Sequence, residues 1–359
     1  MLSGLRVLDL TRVLAGPLCT MMLGDLGADV IKIERPGVGD DTRGWGPPFD
    51  QRGESAYYLS VNRNKKSLAA DLRDPADRAL VASLMAQADI VVDNFRRGVL
   101  ESLGLAPAEM LAARPALVWC TITGFGPQSD RPGYDYVVQA ECGWMSITGD
   151  RSGEPMKAGV ALADVVVGKD ATIAILAALI ERGRTGRGRH VTVSLAQSAT
   201  AALVNVAQNV LVTGTDASRW GNAHPNLVPY ELFPASDRPI VVAVGNDAQW
   251  RACALAIDRP DLARDPRFMT NAGRVTHRDE LVAALRGCLA TRPAAHWLAA
   301  LERAQVPCGV VKGVLEALRD ANASALTGVA PSVPGTVRFP PPRLDEHGAE
   351  IRRQGWRAF

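Results

Sequence analysis

The stretch Gly159-Val-Ala-Leu-Ala-Asp-Val-Val-Val-Gly168 separates two kinds of sequence pattern. It begins the longest apolar helical pattern of the chain, which runs from Val165 to Ile180, and alternating strand-like and helix-like segments precede it. Asp164 occupies the expected N-cap position of this helix, where an aspartate side chain accepts hydrogen bonds from free backbone N–H groups. An aspartate in this position is commonly a structural cap, so a chemical role for Asp164 depends on the rest of the chain.

Strand-like apolar runs alternate with helix-like runs from residue 1 to about residue 205. This alternation is typical of a parallel sheet with crossover helices, and it predicts an α/β fold with a Rossmann-like large domain. The turn after the first strand lacks the G-x-G-x-x-G fingerprint, so we do not expect NAD as a cofactor. The predicted strands are Arg6 to Leu10, Val30 to Ile33, Ser67 to Leu72, Ile90 to Asn94, Leu117 to Thr123 and His190 to Leu195. The predicted helices include Leu18 to Leu26, Pro75 to Ala88, Ala106 to Ala113 and Ala196 to Val212.

Changes in composition predict four regions along the chain. Residues 1–213 form the large domain, and residues 214–226 form a linker because Gly, Asn, His and Pro concentrate there. Residues 227–325 have their own pattern of strands and helices and form a smaller α+β domain. The Pro-rich residues 326–359 show little periodicity, and we expect them to return onto the large domain.

The composition of the 359-residue chain is that of a globular protein, with 47% hydrophobic and 22% charged residues. A net charge of +2 with dispersed basic residues argues against nucleic acid as a partner, and no apolar run reaches the roughly 20 residues that span a bilayer. The N-terminus has no signal-peptide pattern, and neither the six cysteines nor the five histidines show metal-ligand spacing. We therefore expect a cytoplasmic protein with no bound metal, no membrane and no nucleic-acid partner.

Several short phrases, taken together and in this order, are similar to those of one enzyme family. They are Leu8-Asp-Leu-Thr-Arg-Val-Leu-Ala-Gly-Pro17, Gly24-Asp-Leu-Gly-Ala-Asp-Val-Ile-Lys-Ile-Glu-Arg-Pro36, Asn62-Arg-Asn-Lys-Lys-Ser-Leu68, Asp93-Asn-Phe-Arg-Arg-Gly98, Thr123-Gly-Phe-Gly126, Ala161-Leu-Ala-Asp164 and Arg184-Thr-Gly-Arg-Gly188. The chain thus resembles the family III CoA-transferases of the CaiB/BaiF type, a family that also includes the 2-methylacyl-CoA racemases. The resemblance covers nearly the whole chain.

The resemblance implies an acyl-CoA:carboxylate CoA-transferase in which Asp164 matches the family's nucleophile. Its carboxylate would attack the acyl-CoA thioester to form a mixed anhydride and then an aspartyl-CoA thioester, from which CoA passes to a carboxylic acid. This role is chemically reasonable, because an aspartate with its ordinary pKa of about 3.9 is ionised at neutral pH and needs no general base. The oxyanion of each tetrahedral intermediate requires N–H donors, which a helix start or a glycine backbone can supply.

The resemblance also implies which residues contact coenzyme A. The 3′-phosphate and pyrophosphate of CoA need fixed cations near small-residue turns, and an open α/β sheet binds ligands at the ends of its strands. The turn Gly245-Asn246-Asp247 of the smaller domain is left open between a contact near the acyl group and a plain strand-to-helix turn. The implied CoA contacts are Arg35, either Lys65 or Lys66, Asn94, Phe95, Arg97 and the turn Ala15-Gly16.

An interlocked homodimer of ring-shaped chains is a further implication of the resemblance. Each ring would be closed by the Pro-rich C-terminal return, and the segments near residues 214–226 and 320–335 would permit the threading. We therefore expect a second copy of the chain as a partner, besides an acyl-CoA and a carboxylic acid acceptor.

Two other functions stay open. A 2-methylacyl-CoA racemase shares the fold and the aspartate but moves a proton at the α-carbon, which requires two bases on opposite faces. In the racemases one base is the histidine of a Gly-His-Asp phrase, whereas this chain has Gly133-Tyr134-Asp135, and a tyrosine with its ordinary pKa of about 10 is a poor base at neutral pH. We therefore favour the transferase and expect Tyr134 to orient the acyl group by a hydrogen bond. The second alternative is a catalytically silent CoA-binding subunit, and the presence of Asp164 argues against it.

Overall fold

The computed structural model describes residues 1–321 and 323–359. They form two compact units. The first unit contains Met1–Met145, Lys157–Thr215 and Leu318–Phe359, and the second contains Ser146–Met156 and Asp216–Ala317. The second unit thus takes in residues 146–156 and most of the Gly- and Asn-rich segment 214–226, while the C-terminal segment from residue 318 belongs to the first.

The elements follow one another along the chain as an α/β protein requires. The strands are β1 (Arg6–Asp9), β2 (Asp29–Glu34), β3 (Lys65–Ala69), β4 (Ile90–Asp93), β5 (Val118–Thr123), β6 (His190–Ser194), β7 (Tyr230–Phe233), β8 (Ile240–Ala243) and β9 (Cys308–Val310). The helices are α1 (Ala15–Asp25), α2 (Ala56–Leu59), α3 (Pro75–Gln87), α4 (Val99–Ser102), α5 (Pro107–Ala113), α6 (Asp135–Glu141), α7 (Trp144–Ile147), α8 (Leu162–Thr185), α9 (Leu195–Ala201), α10 (Val204–Thr213), α11 (Asp247–Ala256), α12 (Pro260–Arg264), α13 (Asn271–Thr276), α14 (Arg278–Leu289), α15 (Ala294–Arg303), α16 (Val314–Arg319) and α17 (Gly348–Gln354). Short 3-10 helices span Asp41–Gly44 and Gly355–Ala358.

The first unit is built on a parallel sheet with the strand order β3-β2-β1-β4-β5-β6. This order and the crossover helices confirm the expected Rossmann-like arrangement. The order in which strands are added reverses at β1: β2 and β3 lie on one side of it, and β4, β5 and β6 lie on the other. The loops that leave the carboxyl ends of β1 and β4 therefore diverge and open a crevice there. The strands predicted from apolar alternation match the observed ones within a few residues.

Both faces of this sheet are covered. Successive residues of a strand point to opposite faces, so Val7 lies in one core cluster and Leu8 in the other. The Val7 cluster also contains Ala15 and Cys19 of α1 and several apolar residues of α8, whereas the Leu8 cluster contains side chains of α3 together with Trp356 near the C-terminus. The helices α1 and α8 therefore pack on the same face, beside the crevice.

The second unit has a core of its own. Its strands β7, β8 and β9 form an antiparallel sheet, and helices α11, α14 and α15 cover it with buried apolar residues that include Trp250, Leu285 and Trp297. The sequence pattern of this region predicts strands at Pro239 to Val244 and Gly309 to Lys312, which correspond to β8 and β9, but it predicts no strand at β7. In the turn that was left open, the Asn246 side chain accepts a hydrogen bond from the Gln249 N–H at 2.9 Å and thus caps α11.

Three predicted helices differ from the observed ones. The helix α1 begins at Ala15, three residues before the predicted start at Leu18. The run Ala196 to Val212 is divided into α9 and α10 at residues 202–203, where the chain bends by 71°. The helix α8 begins at Leu162, three residues before the predicted start, so Asp164 lies inside its first turn and the N-cap residue is Ala161. The prediction that Asp164 is the N-cap is therefore wrong. The other end of α8 is set by Gly186, whose φ of 71° suits a glycine after a helix.

In the part of the chain that the structure describes, no single helix is long and apolar enough to cross a bilayer. Only the bent pair α9 and α10 reaches that length and composition when its two helices are taken together. Residues 1–321 and 323–359 also contain no group of three or more His, Cys, Asp or Glu side chains placed to hold a metal ion.

Candidate active site

A cavity of about 330 Å³ lies in the first unit at the carboxyl ends of the parallel strands. Its walls are the turn after β1, the loops after β4 and β5, and the start of α8. Of the residues that the sequence singled out, the cavity lining includes Ala15, Asn94, Phe95, Arg97, Tyr134 and Asp164.

Close contacts between backbones bring these segments together. A Cβ atom built on Gly168 of α8 would lie 2.8 Å from the carbonyl oxygen of Ala15, so the two helices approach closely near their N-terminal ends because residue 168 is a glycine. A Cβ built on Gly133 would lie 2.2 Å from the Cα atom of Gly124, which fixes the loop that carries Tyr134 against the end of β5. Gly16 is buried against Thr11, so it shapes the turn after β1 from inside.

The start of α8 is capped from another segment. The Asp135 carboxylate accepts hydrogen bonds from the backbone N–H groups of Ala163 at 2.8 Å and Asp164 at 3.4 Å, and it also accepts one from the Gln139 side chain at 2.7 Å. Among the described residues, no group donates a hydrogen bond to the Asp164 carboxylate. Because Asp135 satisfies the helix start, the Asp164 side chain is available to a ligand.

The surroundings of Asp164 favour its protonated form. Burial first, and then repulsion by the Asp135 carboxylate, raise the pKa of Asp164 from 3.8 to about 7. Tyr57 lies close enough to be affected in turn, since burial and the negative charge of Asp164 raise the pKa of the Tyr57 hydroxyl to about 12. The expectation that Asp164 is fully ionised at neutral pH therefore changes: in the free protein it is a carboxyl group that titrates near neutrality.

Tyr134 lies on the rim of the cavity directly before α6. Its side chain is 57% exposed, so it is not the buried core aromatic that a helix start often carries. The next residue is Asp135, which binds the first turn of α8, so the chain places Tyr134 directly before the residue that caps the helix of Asp164.

A second cavity of about 610 Å³ lies beside the first and shares Phe95 with it. Arg35 and Arg73 line it, at the carboxyl ends of β2 and β3. Arg35 forms an ion pair with Asp41, and its side chain is more than half exposed. Arg97 lines the first cavity and has one long hydrogen bond, 3.4 Å, to Gln128. The predicted cations Arg35 and Arg97 thus flank Phe95 from two cavities.

The two predicted lysines do not line either cavity. The Lys65 ammonium is fully buried, where it donates to Asp9 at 3.0 Å, to the Pro17 carbonyl at 2.9 Å and to Asn62 at 2.9 Å. Its three donor hydrogens are therefore used, and none is left for a phosphate. The structure thus contradicts the proposed contact of Lys65 with CoA.

Lys66 is occupied by the C-terminal segment. Its ammonium pairs with Glu350 at 3.1 Å, donates to the carbonyl oxygen of Ala358 and lies 5.0 Å from the centre of the Phe359 ring. Both lysines lie at the amino end of β3, whereas the crevice is at the carboxyl ends of the parallel strands, so the structure places Lys66 away from both cavities.

The structure adds site residues that the sequence did not single out. Asp135 was visible only as the last residue of the phrase Gly133-Tyr134-Asp135, and Tyr57 had no local signal. A hydrogen-bonded chain of three side chains also lines the first cavity: the Thr121 hydroxyl donates to Asp93 at 2.7 Å, so it accepts from the Nε2 atom of His190 at 2.8 Å. This chain fixes the ends of β4, β5 and β6 relative to one another.

Comparison with known proteins gives consistent results over the whole chain. The family model described as "CoA-transferase family III" matches residues 2–354. The chain is 41% identical to the succinyl-CoA:glutarate CoA-transferase of Mus musculus, covering 98% of this chain and 86% of that protein, and 41% identical to the succinate–glutarate CoA-transferase of Agrobacterium fabrum, covering 98% and 94%. The crystal structure of a CAIB/BAIF family protein from Brucella suis is 40% identical, with a TM-score of 0.86 over 98% of both chains.

Proposed function

The chain belongs to CoA-transferase family III, and on this basis we propose that it moves CoA from an acyl-CoA to a carboxylic acid through a covalent intermediate on Asp164. One observation carries the assignment of the nucleophile: the Asp164 carboxylate lines the cavity and receives no hydrogen bond from the described residues, while Asp135 caps the helix in its place. A carboxylate that served the helix would be committed to backbone N–H groups.

The proposed reaction conserves atoms and electrons at each step. An oxygen of the Asp164 carboxylate attacks the thioester carbon, the C–S bond breaks, and the CoA thiolate leaves a mixed anhydride of Asp164 and the acyl group. The thiolate then attacks the Asp164 carbonyl carbon and releases the first carboxylate, which leaves an aspartyl-CoA thioester. The acceptor carboxylate repeats both steps in reverse order and frees Asp164.

Backbone donors are available for the oxyanions of these steps. The first N–H groups of a helix have no partner within the helix, and α1 begins at the cavity wall with Leu14 and Ala15. The positive end of the α1 dipole faces the same space, so negative charge that develops on a carbonyl oxygen is stabilised there.

The raised pKa of Asp164 suits its proposed role as the nucleophile. Burial removes water from the carboxylate, and a carboxylate with a pKa of about 7 is more basic, and hence more nucleophilic, than an ordinary aspartate. About half of the free protein is ionised at neutral pH. The ionised half attacks without a general base, which agrees with the proposed role.

We place CoA across the two cavities that meet at Phe95. The phosphates of its nucleotide end need cations, and Arg35 and Arg73 line the second cavity, whereas the thioester end must reach Asp164 in the first. Arg97 and Asn94 lie between these ends. The residues present therefore fit a long, negatively charged thioester substrate.

The acceptor is proposed to be a short dicarboxylic acid. The relatives from mouse and Agrobacterium are named for succinyl and glutarate substrates, and each of these has a carboxylate that does not react. Arg12 and Arg131 line the first cavity, and their guanidinium groups supply the charge that such a carboxylate requires.

The protein is proposed to act as a homodimer. Large apolar side chains are exposed on α8 and α10: Ile173 is 63% exposed, Ile180 68%, Leu211 77% and Val212 75%. Exposed apolar surface of this kind marks an interaction site, and a second copy of the chain is the partner that the family membership favours. The interlocking of two rings remains part of this proposal.

A reducing compartment such as the cytoplasm is proposed as the location. All six cysteines are free thiols, and buried thiols such as Cys19 and Cys120 persist without oxidation most readily where the surroundings are reducing.

The transfer activity is tested by incubating the purified protein with succinyl-CoA and a panel of mono- and dicarboxylic acids, and following new CoA thioesters by chromatography. We expect glutarate and other short dicarboxylates to give new thioesters. Exchange of the α-proton of a 2-methylacyl-CoA into heavy water, without any acceptor acid and without CoA transfer, would instead assign the protein to the racemases.

A further inference from the structure

One residue in the cavity wall has a backbone conformation that its side chain disfavours. Val13 lies between β1 and α1 with a φ of 74°, in the left-handed region. A β-branched residue is strained in this region, whereas a glycine adopts it freely. Since α1 begins two residues later, the conformation of Val13 sets the direction in which the helix starts.

A buried carboxylate holds Val13 in this conformation. The Val13 N–H donates to both oxygens of Asp40, at 3.2 and 3.3 Å. Asp40 is itself held by the Lys32 ammonium at 2.9 Å, and both side chains are fully buried. Burial alone would raise the pKa of Asp40, but the attraction of Lys32 and the hydrogen bonds from Thr42 outweigh it and lower the pKa.

Two other side chains also form hydrogen bonds with the backbone of the turn after β1. Lys32 donates to the Thr11 carbonyl at 2.8 Å, and Asn94 binds both backbone groups of Arg12, accepting from its N–H at 3.1 Å and donating to its carbonyl at 2.9 Å. Three side chains, from β2, the loop after β2 and the loop after β4, thus hold residues 11–13. Of these contacts, only the one from Asp40 acts on the strained residue itself.

We propose that Asp40 is a positioning residue for the transfer reaction: it holds Val13 in the left-handed conformation and thereby directs the first N–H groups of α1 towards the reacting carbonyl oxygen. This inference rests on the proposed function. Asp40 contacts neither CoA nor acid in this role and acts through the backbone of Val13. Its carboxylate oxygen is required as a hydrogen-bond acceptor, and its charge is required only because Lys32 is buried beside it.

The test compares two pairs of substitutions, which distinguish the need for a hydrogen-bond acceptor at position 40 from the need for a negative charge there. The variant Lys32→Met/Asp40→Asn removes both charges and keeps an acceptor oxygen, so we expect its kcat within about threefold of the wild type. The variant Lys32→Met/Asp40→Ala loses the acceptor, and we expect kcat to fall at least about thirtyfold with KM for acyl-CoA changed by less than about threefold, because the effect is on the transition state.

A suppressor then identifies the site of action. Adding Val13→Gly to the Ala variant is expected to restore kcat at least about tenfold, because a glycine at position 13 adopts the conformation without help. Val13→Ala is the matched control and restores nothing, since an alanine is strained there too. If the Ala variant does not fold, recovery of its melting transition by Val13→Gly but not by Val13→Ala supports the same conclusion.

Two results would overturn the proposal: a folded Lys32→Met/Asp40→Ala protein with wild-type kcat, or a loss of kcat or of folding that Val13→Gly does not relieve. The second result would show that Asp40 serves only to cap the 3-10 helix Asp41–Gly44. Its carboxylate also accepts a hydrogen bond from the Thr42 N–H of that helix. Failure of the proposed function is recognised separately, because an Asp164→Asn protein would then still transfer CoA, whatever the Asp40 series shows.

Discussion

The Asp135 carboxylate accepts a hydrogen bond from the backbone N–H of Asp164, at 3.4 Å, and a shorter one from Ala163, at 2.8 Å. The cap of α8 therefore comes from a residue 29 positions earlier in the chain. The two carboxyl groups at the helix start thus have different roles. The Asp135 carboxylate accepts hydrogen bonds from the backbone N–H groups, and the Asp164 carboxyl group faces the cavity with a raised pKa.

Asp164→Asn is expected to abolish transfer and keep the fold. An amide is a poor nucleophile, so the rate of CoA exchange should fall by roughly 10³-fold or more, while Asp135 still caps α8. The measurements are thioester exchange by chromatography and far-UV circular dichroism. In the wild type, an acyl-CoA supplied without an acceptor should leave a hydroxylamine-reactive carboxyl on the peptide that contains Asp164.

The control for this substitution is Asp170→Asn on the same helix. Asp170 accepts a hydrogen bond from Ser198 at 2.6 Å and does not line the cavity, so its variant should transfer CoA at close to the wild-type rate. Wild-type exchange by the Asp164→Asn protein would refute the covalent mechanism.

The activity should depend on pH through Asp164. Its pKa is about 7, so kcat/KM of the free enzyme should rise about tenfold per pH unit below that value and level off above it. Asp135→Asn keeps an oxygen for the helix N–H groups but removes the like charge, so the midpoint should move to lower pH. An unchanged midpoint in the pH profile of the Asp135→Asn protein would show that the rise of kcat/KM with pH reflects the ionisation of another group.

The sequence predicted the parallel sheet because its signal is local. Apolar runs such as Arg6 to Leu10 bury on both faces of the sheet, and their residues alone determine this, so the strands match within a few positions. The end of α8 was predicted less well: the apolar pattern ended at Ile180, whereas the helix continues to Thr185 and ends before Gly186.

The details of the site depend on partners that are distant in sequence. Asp164 seemed to be a cap because no local feature shows that Asp135 takes that role. Lys65 seemed to be a ligand for phosphate because its ion-pair partner, the Asp9 carboxylate, lies 56 residues earlier and gives no local signal. Charged residues on predicted loops are therefore the least secure part of such a prediction, since their role is decided by the tertiary partner.

Asp164→Asn should also change the pH dependence of stability. The folded protein holds the Asp164 proton more strongly than the unfolded chain, whose carboxyl has its ordinary pKa near 3.8, so this group's contribution is lost as pH rises from about 4 to about 7. Above that range the ionised wild-type carboxylate costs on the order of 4 kcal/mol, which an amide avoids. The variant should therefore melt at a higher temperature than the wild type at pH 8 and at nearly the same temperature at pH 4. Equal melting temperatures at both pH values would contradict the raised pKa.

Lys65→Met should destabilise the fold without weakening CoA binding. Removing one partner of a buried ion pair leaves the Asp9 charge uncompensated, which costs about 3–5 kcal/mol. The double variant Lys65→Met/Asp9→Asn leaves no buried charge at this pair and should recover most of the loss. Thermal unfolding measures the stability, and KM for acyl-CoA is measured below the melting range. A tenfold rise in KM with an unchanged melting temperature would show that Lys65 contacts CoA after all.

Arg35→Ala and Arg97→Ala should weaken acyl-CoA binding, because these cations line the cavities in which we place the phosphates and the pantetheine arm. Each lost charged hydrogen bond to a phosphate costs about 1.5 kcal/mol, so KM should rise by roughly tenfold for each variant with little change in kcat. Both side chains are exposed to solvent, so the wild-type KM should rise with added salt, and less steeply in the variants. Lys66→Ala is the matched control, because its ammonium binds Glu350 and the C-terminus: it should lower the melting temperature and leave KM and its salt dependence unchanged. If Lys66→Ala raised KM as much as Arg35→Ala, the phosphates would lie at the amino end of β3, and the placement of CoA across the two cavities would be wrong.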